Sequence, residues 1–446
     1  MKKARIKLTP SQILALGFLV IILAGALMLS LPVSNRNGES IPFINALFTA
    51  TSAACVTGLV VYDTWSQFTL FGQVVILVLI QIGGLGFMTF AMRIFMVLGK
   101  RIGLRKRSIL MESISFMQLG GVVRLVKHIV FGTFIVEGCG ALLLFIRFRK
   151  VFGFARGLWF SIFHAVSAFC NAGFDLMGIF EPYGSLTPFA GDALVSCTIG
   201  LLIVLGGIGF AAWDDVMTHR GDVKQYSLGT KVVIVFTFVT ITLPALLFFI
   251  IEGNTSFSGM NWWERTIASL FAAITPRTAG FNTVDLQSMS EGGTMLTTLL
   301  MFIGAGPGST GGGVKITTFA VMLLSIFTHI QRREDVNIFK RRLEPGIIRK
   351  AWSSAGVYIA AVMLVAFILV TTQPLGIKEA LFEAFSAMGT VGLTLGITRS
   401  LGPVAKIAIM ILMYSGRIGS LTVFAAVVYK KNSKPLRNPV EKIVIG

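Results

Sequence analysis

Residues 48–59 read FTATSAACVTGL, an apolar run that ends on Gly58 after about three helical turns, far short of the ~20 residues that cross a bilayer. Three other stretches have the same form: FHAVSAFCNAGF at 163–174, LFAAITPRTAGF at 270–281 and FSAMGTVGL at 385–393. Aligned on Gly58, Gly173, Gly280 and Gly392, all four carry alanine eight residues earlier, at Ala50, Ala165, Ala272 and Ala384. A large apolar residue follows each glycine: Leu59, Phe174, Phe281 and Leu393. The glycines recur at intervals of 115, 107 and 112 residues. A self-similar period of this kind is a fourfold internal repeat, with boundaries at 1–105, 106–222, 223–335 and 336–446.

Composition fixes the environment. Hydrophobic residues make up 54% of the chain and charged ones 13%, with 37 Phe, which is the balance of an integral membrane protein. Eight apolar stretches are long enough to span: Ile13–Leu31, Val74–Leu98, Ile129–Ile146, Ala193–Ala212, Val232–Ile251, Met295–Phe327, Ala355–Thr371 and Val404–Val428. The first is too long for a signal-peptide core and lacks a small-residue cleavage site, so it is expected to be retained. The net charge of +19 is distributed as a membrane topology, which excludes a nucleic-acid reading. With both termini cytoplasmic, the termini and three long connections hold 27 of the 39 Lys and Arg, following the positive-inside rule. The run IRFRK at 146–150 is the local exception and reads as a solvated rim. Cys55, Cys139, Cys170 and Cys197 show no metal or redox spacing.

The short segments fall after the first, third, fifth and seventh spans. Each repeat therefore reads as spanning helix, re-entrant half-helix, glycine-ended loop and spanning helix: an all-α membrane fold of eight spans around a central pore. Four half-helices aimed at one axis would bring the partial negative charge of their carboxyl ends together. Glycine lets the chain turn back sharply, and the backbone there can offer carbonyl oxygens to a monovalent cation. Asp175 and Asp285 lie past the glycines, toward the outer face, so no carboxylate ring suited to a divalent ion is present. This points to K⁺ or a similar weakly hydrated ion.

A second feature interrupts the sixth span. Residues 304–318 read GAGPGSTGGGVKITT, at the place where IQIGGLGFMTF, IVLGGIGFAAW and SGRIGSLTVF stand in the first, second and fourth repeats. Backbone this irregular at membrane depth belongs where it packs in protein or lines a watery cavity. Gly304, Ala305, Gly306, Pro307, Gly308, Ser309, Thr310, Gly311, Gly312 and Gly313 have little bulk and permissive dihedrals, and are the candidate gate. A nucleotide-binding loop is excluded because Val314 stands where that motif needs lysine. Arg417, roughly 20 Å into the last span at 1.5 Å per residue, falls at the same level and is expected to hydrogen-bond loop carbonyls. Lys315 is expected to face the cytoplasmic vestibule or reach the headgroups. Glu137 and His164 are expected to be packed, satisfied residues. His128, His164, His219 and His329 sit far apart with no nucleophile–base spacing, so the chain is not an enzyme.

With VTGL, NAGF, TAGF and TVGL in place, the chain resembles the Trk/Ktr/HKT superfamily of potassium transporters, and within it the bacterial Ktr membrane subunits, over nearly its whole length. The resemblance implies a selectivity filter of backbone carbonyls at Val56, Thr57 and Gly58, at Asn171, Ala172 and Gly173, at Thr278, Ala279 and Gly280, and at Thr390, Val391 and Gly392. It implies K⁺ held at the level of Gly58, Gly173, Gly280 and Gly392. Some sodium-selective plant members carry serine at the first of these, so Gly58 implies potassium preference. Thr57, Asn171 and Thr390 depart from strict fourfold symmetry. The resemblance matches 304–313 to an intramembrane loop that obstructs the pore, with a basic residue, here Arg417, beside it. It further implies a homodimer in the bacterial cell membrane, docked on a separate cytoplasmic nucleotide-binding ring, with Na⁺ as a candidate activator. The basic connection RREDVNIFKRRLEP suits either that ring or anionic lipid. The alternative function class is a carrier coupling solute uptake to Na⁺ or H⁺; four same-direction repeats favour the pore.

Overall fold

The computed structural model describes residues 9–86 and 122–419, together with 439 and 441. The basic run at 100–107, the ends of the second and eighth predicted spans, and the terminal basic residues lie outside the described residues.

Among the described residues the regular structure is helical apart from one two-stranded hairpin. Helix α1 (Pro10–Ser30) opens on a capping box between Thr9 and Gln12, with Pro10 in its first turn where a missing N–H costs nothing. It is followed by the short α2 (Phe43–Ala54), the single turn α3 (Thr64–Gln67) and α4 (Leu70–Leu85). Next come α5 (Val122–Phe152), α6 (Phe154–Phe169), α7 (Ala193–Ile208) and α8 (Phe210–His219). Then α9 (Leu228–Ile251), α10 (Trp262–Ile274), α11 (Glu291–Phe302) and α12 (Ile316–Ile330). Strands β1 (Asn337–Ile338) and β2 (Arg341–Arg342) lead to α13 (Pro345–Thr372), α14 (Ile377–Gly389) and α15 (Pro403–Ile418).

Among the described residues, four helices are long and apolar enough to cross a membrane: Ser11–Ser30, His128–Phe152, Leu228–Asn254 and Pro345–Thr372. Their outer faces leave Val20, Phe131, Phe238, Ile250 and Phe367 exposed, apolar surface that only lipid or another apolar partner can cover. The protein is thus a multi-pass membrane protein.

The short helices α2, α6, α10 and α14 bury their small and aromatic residues in the centre. In α2, nine of twelve residues are buried. Each packs against the long helix before it: α2 on α1, α6 on α5, α10 on α9 and α14 on α13. Three of them also touch a helix that follows the preceding short helix: α6 on α4, α10 on α7, α14 on α11. The cycle closes with α2 on α15.

Among the described residues, two predicted spans break and resume as a second helix. Met295–Phe327 divides into α11 and α12 around the glycine-rich stretch, as that stretch suggests. Ala193–Ala212 also divides, at Gly209, where the chain turns by 93° into α8. Hydropathy reads straight through this break because the glycines at 206, 207 and 209 sit in an apolar run. Gly209 has φ +102°, in a region that favours glycine. The groups freed by the break find partners in the glycine-rich stretch: Gly207 O accepts from Gly306 N at 2.7 Å, Gly206 O accepts from Thr310 N at 3.3 Å, and Phe210 N donates to Gly308 O at 3.0 Å. In hydrocarbon such replacement is what makes a kink tolerable.

A Cβ at position 209 would stand 2.5 Å from the Pro307 carbonyl oxygen as well as in a left-handed conformation. Gly209→Ala is expected to destabilise the fold by about 1–2 kcal/mol or more, read as a lower Tm in detergent, whereas Gly229→Ala, with open space around it, leaves Tm nearly unchanged.

Candidate functional site

The loops that follow α2, α6, α10 and α14 share one backbone design. Two residues before each glycine stands a non-glycine residue with positive φ: Val56 (+57°), Asn171 (+58°), Thr278 (+74°) and Thr390 (+51°). The glycines themselves have φ of +93°, +68°, +81° and +94° at Gly58, Gly173, Gly280 and Gly392. The residue between is not left-handed, so the chain alternates in hand across three residues. Four L-residues held at positive φ is a costly arrangement, of the kind kept where surrounding structure and function require it.

The glycines meet in a closed ring. A Cβ on Gly58 would lie 2.6 Å from the Ala172 carbonyl oxygen, and one on Gly173 would lie 2.7 Å from that of Ala279. One on Gly280 would run into the Val391 carbonyl, and one on Gly392 into that of Thr57. Each glycine thus abuts the residue before the next glycine, in chain order, and the fourth returns to the first. All twelve residues singled out in the loops are brought together here.

Side chains from the short helices brace the ring from behind. The Ser52 hydroxyl accepts from Gly58 N and that of Ser386 from Gly392 N, both at 3.1 Å. The Ser167 hydroxyl donates to Phe174 O at 2.7 Å, and that of Thr275 to Phe281 O at 2.5 Å. The backbone turns back on the helix ends as well: Thr57 N, Ala172 N and Val391 N bond to Ser52 O, Ser167 O and Ser386 O, each at 2.8 Å. Asn171 and Thr278 join the second loop to the third across 3.1 Å. His164 is packed and satisfied as expected: Nδ1 donates to Phe160 O at 2.7 Å, and Nε2 accepts from Leu176 N at 3.3 Å. Glu383, fully buried, stands at the equivalent place in α14 and accepts from Thr394 at 2.7 Å and Thr398 at 2.5 Å. Glu137 is buried and accepts from Gln81 at 3.3 Å.

A small cavity of about 100 Å³ opens on one side of the ring, lined by the four glycines and by Asp63, Asp175, Asp285 and Arg399. Asp63 accepts from Tyr183 N at 3.3 Å, and Arg399 lies over the Tyr183 ring at 3.7 Å. Asp175 accepts from Met177 N at 2.9 Å. Its recessed position and then the nearby Asp63 charge push its carboxyl up to about 7.

The glycine-rich stretch lies against the opposite side. Gly312 N donates to the Thr390 hydroxyl, and the Thr310 hydroxyl to Phe169 O, both at 3.1 Å. Gly311 packs against Thr278. Arg417 donates to Thr310 O within the stretch, to Gly83 O at 2.5 Å and to Gly84 O at 2.9 Å. Lys315 is half-buried and donates to Gly311 O at 2.7 Å. Its place just before α12 explains this, because carbonyls in the stretch have no helical donor and an ammonium can supply one. Among the described residues neither cation has a carboxylate partner, and no group of His, Cys, Asp and Glu could hold a metal ion.

Residues 8–435 match the TrkH family, described as a cation transport protein. The chain is 42% identical to the Ktr system potassium uptake protein B of Bacillus subtilis, over 99% of this chain and 98% of that one. It is 38% identical to the potassium/sodium uptake protein NtpJ of Enterococcus hirae, over 100% of this chain and 99% of that one. The fold resembles the crystal structure of the potassium transporter TrkH from Vibrio parahaemolyticus, with a TM-score of 0.72 at 18% identity, covering 96% of this chain and 86% of that one.

Glu383→Ala removes the acceptor of two hydroxyls and leaves a void behind the fourth loop. The expected loss is about 2–4 kcal/mol, seen as a Tm several degrees lower, with Glu383→Gln recovering most of it.

Proposed function

The chain belongs to the TrkH family of cation transport proteins, and from that premise we propose that it takes up potassium through the ring of four loops, with residues 304–313 as the gate. Potassium uptake is the function that its full-length relatives carry in their names. The observation that supports the filter is the closed ring: four backbones alternate in hand at one level, and each glycine abuts the neighbouring loop's carbonyl. A dehydrated cation needs several oxygen ligands at once, and carbonyls at one level supply them without a formal charge. The carboxyl ends of α2, α6, α10 and α14 lead into the ring and add their partial negative charge. Asp63, Asp175 and Asp285 attract cations to the mouth.

The gate reading rests on the packing of 304–313 against Thr278 and Thr390 and on the two cations tied to it. Arg417 and Lys315 put positive charge on the path a cation would take after the ring, which opposes passage. Opening requires the stretch to release its bonds to α7 and to Arg417. The eight apolar stretches then make eight spans in four repeats around the pore, with both termini cytoplasmic. The Bacillus relative is named as part of a Ktr system, which supports a partner subunit. A membrane homodimer on a cytoplasmic nucleotide-binding ring is the form we propose. The relative named for potassium and sodium supports Na⁺ as a second ion of the system.

In proteoliposomes, K⁺ flux is expected to exceed Na⁺ flux. Gly58→Ser should displace the Ala172 carbonyl and cut that preference about tenfold, the equivalent of about 1.4 kcal/mol. Removing residues 306–311, or Arg417→Gln, should raise flux. A preference indifferent to Gly58→Ser would refute the ring as the filter; a flux indifferent to both other changes would refute the gate.

Asp175 is charged above about pH 7 and neutral below it. Uptake at sub-saturating K⁺ is therefore expected to fall as external pH drops through about 7, and Asp175→Asn should flatten that step while lowering uptake at high pH.

A further inference from the structure

Ion passage makes no use of the end of the α12–α13 pair. Between Ile330 and Pro345 the chain folds as a hairpin, with Asn337 paired to Arg342 and Ile338 to Arg341. Its turn residues, Phe339 and Lys340, have φ of +49° and +61°, the conformation that tight hairpins use. Beside it, a groove of about 410 Å³ runs between the end of α12 and the start of α13, lined among others by Thr328, His329, Ile330, Arg333, Glu334 and Trp352. Trp352 donates through Nε1 to Ser325 at 3.1 Å, which fixes the ring along the groove.

Two properties of this region coincide. From 331 to 350 there are seven Lys and Arg against three Asp and Glu, and of these basic residues Arg342 alone is in an ion pair among the described residues, with Asp335 at 2.9 Å. Large apolar side chains stand open beside the charges: Ile330 is 69% exposed, Phe327 53%, Phe339 48% and Trp352 43%. The apolar row continues along α13 through Ile359, Met363, Leu364 and Phe367, so it leads into the hydrocarbon zone. Basic and aromatic residues at the end of a lipid-facing helix pair match the headgroup layer. An acidic protein surface would satisfy the charges but would leave the row from Phe327 to Ile330 without a purpose.

We propose that this groove binds an anionic phospholipid. Arg333 and His329 hold the phosphate, Trp352 and Ile330 line the glycerol and first methylenes, and Phe339 seats the hairpin tip in the interface. Glu334 is on the same rim and opposes the phosphate, so Arg333 is the residue on which binding turns. The topology proposed above puts the site in the cytoplasmic leaflet. The inference rests on the membrane fold and not on the pore reading.

The test uses the full chain purified in detergent and titrated with phosphatidylglycerol or phosphatidylcholine, with bound lipid counted by native mass spectrometry. Phosphatidylglycerol should bind about fivefold or more tightly than phosphatidylcholine. Arg333→Ala should cut that preference about fivefold, the size of one basic contact at a membrane surface, while Arg333→Lys keeps most of it. A polarity-sensitive label on Phe339→Cys should move to a less polar environment in phosphatidylglycerol nanodiscs, which expose both faces and so do not depend on orientation. Equal binding of the two lipids, or a preference untouched by Arg333→Ala, would overturn the proposal. So would a label that stays in water in both lipids and is covered only by an added acidic protein, which would assign the surface to a protein partner. Potassium flux is a separate readout, so loss of the pore reading would leave these outcomes standing.

Discussion

The centre of this protein depends on one steric condition: at four places a backbone carbonyl occupies the space where a side chain would begin. Gly58, Gly173, Gly280 and Gly392 each accept the neighbouring loop at that distance. Everything behind the ring serves to hold those carbonyls there. The short helices supply hydroxyls from Ser52, Ser167, Thr275 and Ser386. Buried His164 and Glu383 tie down the chain as it leaves the ring. A ring built only from backbone would otherwise relax, since four L-residues at positive φ favour other conformations.

The second constraint is that no peptide group in the interior can go without a partner. The break at Gly209 and the break between α11 and α12 are therefore a single structure. Carbonyls that one helix loses are taken up by N–H groups of the other's glycine-rich stretch, and Arg417 caps the carbonyls of Gly83, Gly84 and Thr310. The ends of α4, α7 and α15 are thus joined through one segment of ten residues. Any movement of that segment changes the ends of α4, α7 and α15 together.

Much of this was legible in the sequence, because glycines and small residues leave a positional signature. The period of the four glycines located the ring, and the bulk-free run at 304–313 located the stretch beneath it. Arg417 stood out as a charge deep in an apolar span. The turn at Gly209 did not, since hydropathy averages over a single residue while φ does not. The bracing serines occur six residues before the glycine in three loops, but Ile274 holds that place in the third and Thr275 takes over one residue later, so the pattern is broken. The partners of Glu383, the place of Asp63 and Arg399 at the mouth, and the turn of Lys315 toward Gly311 depend on contacts between distant segments, and no local pattern encodes them.

Because one polypeptide supplies all four loops, the ring has four separate addresses. In an assembly of identical subunits, a single codon change alters every position of such a ring at once, and intermediate states are inaccessible. Here a substitution reaches one quarter of it. Thr57 and Val391 already differ from each other and from Ala172 and Ala279 while occupying equivalent positions, so the ring is asymmetric in its side chains without losing closure. Selection can therefore tune it in small steps, one loop at a time.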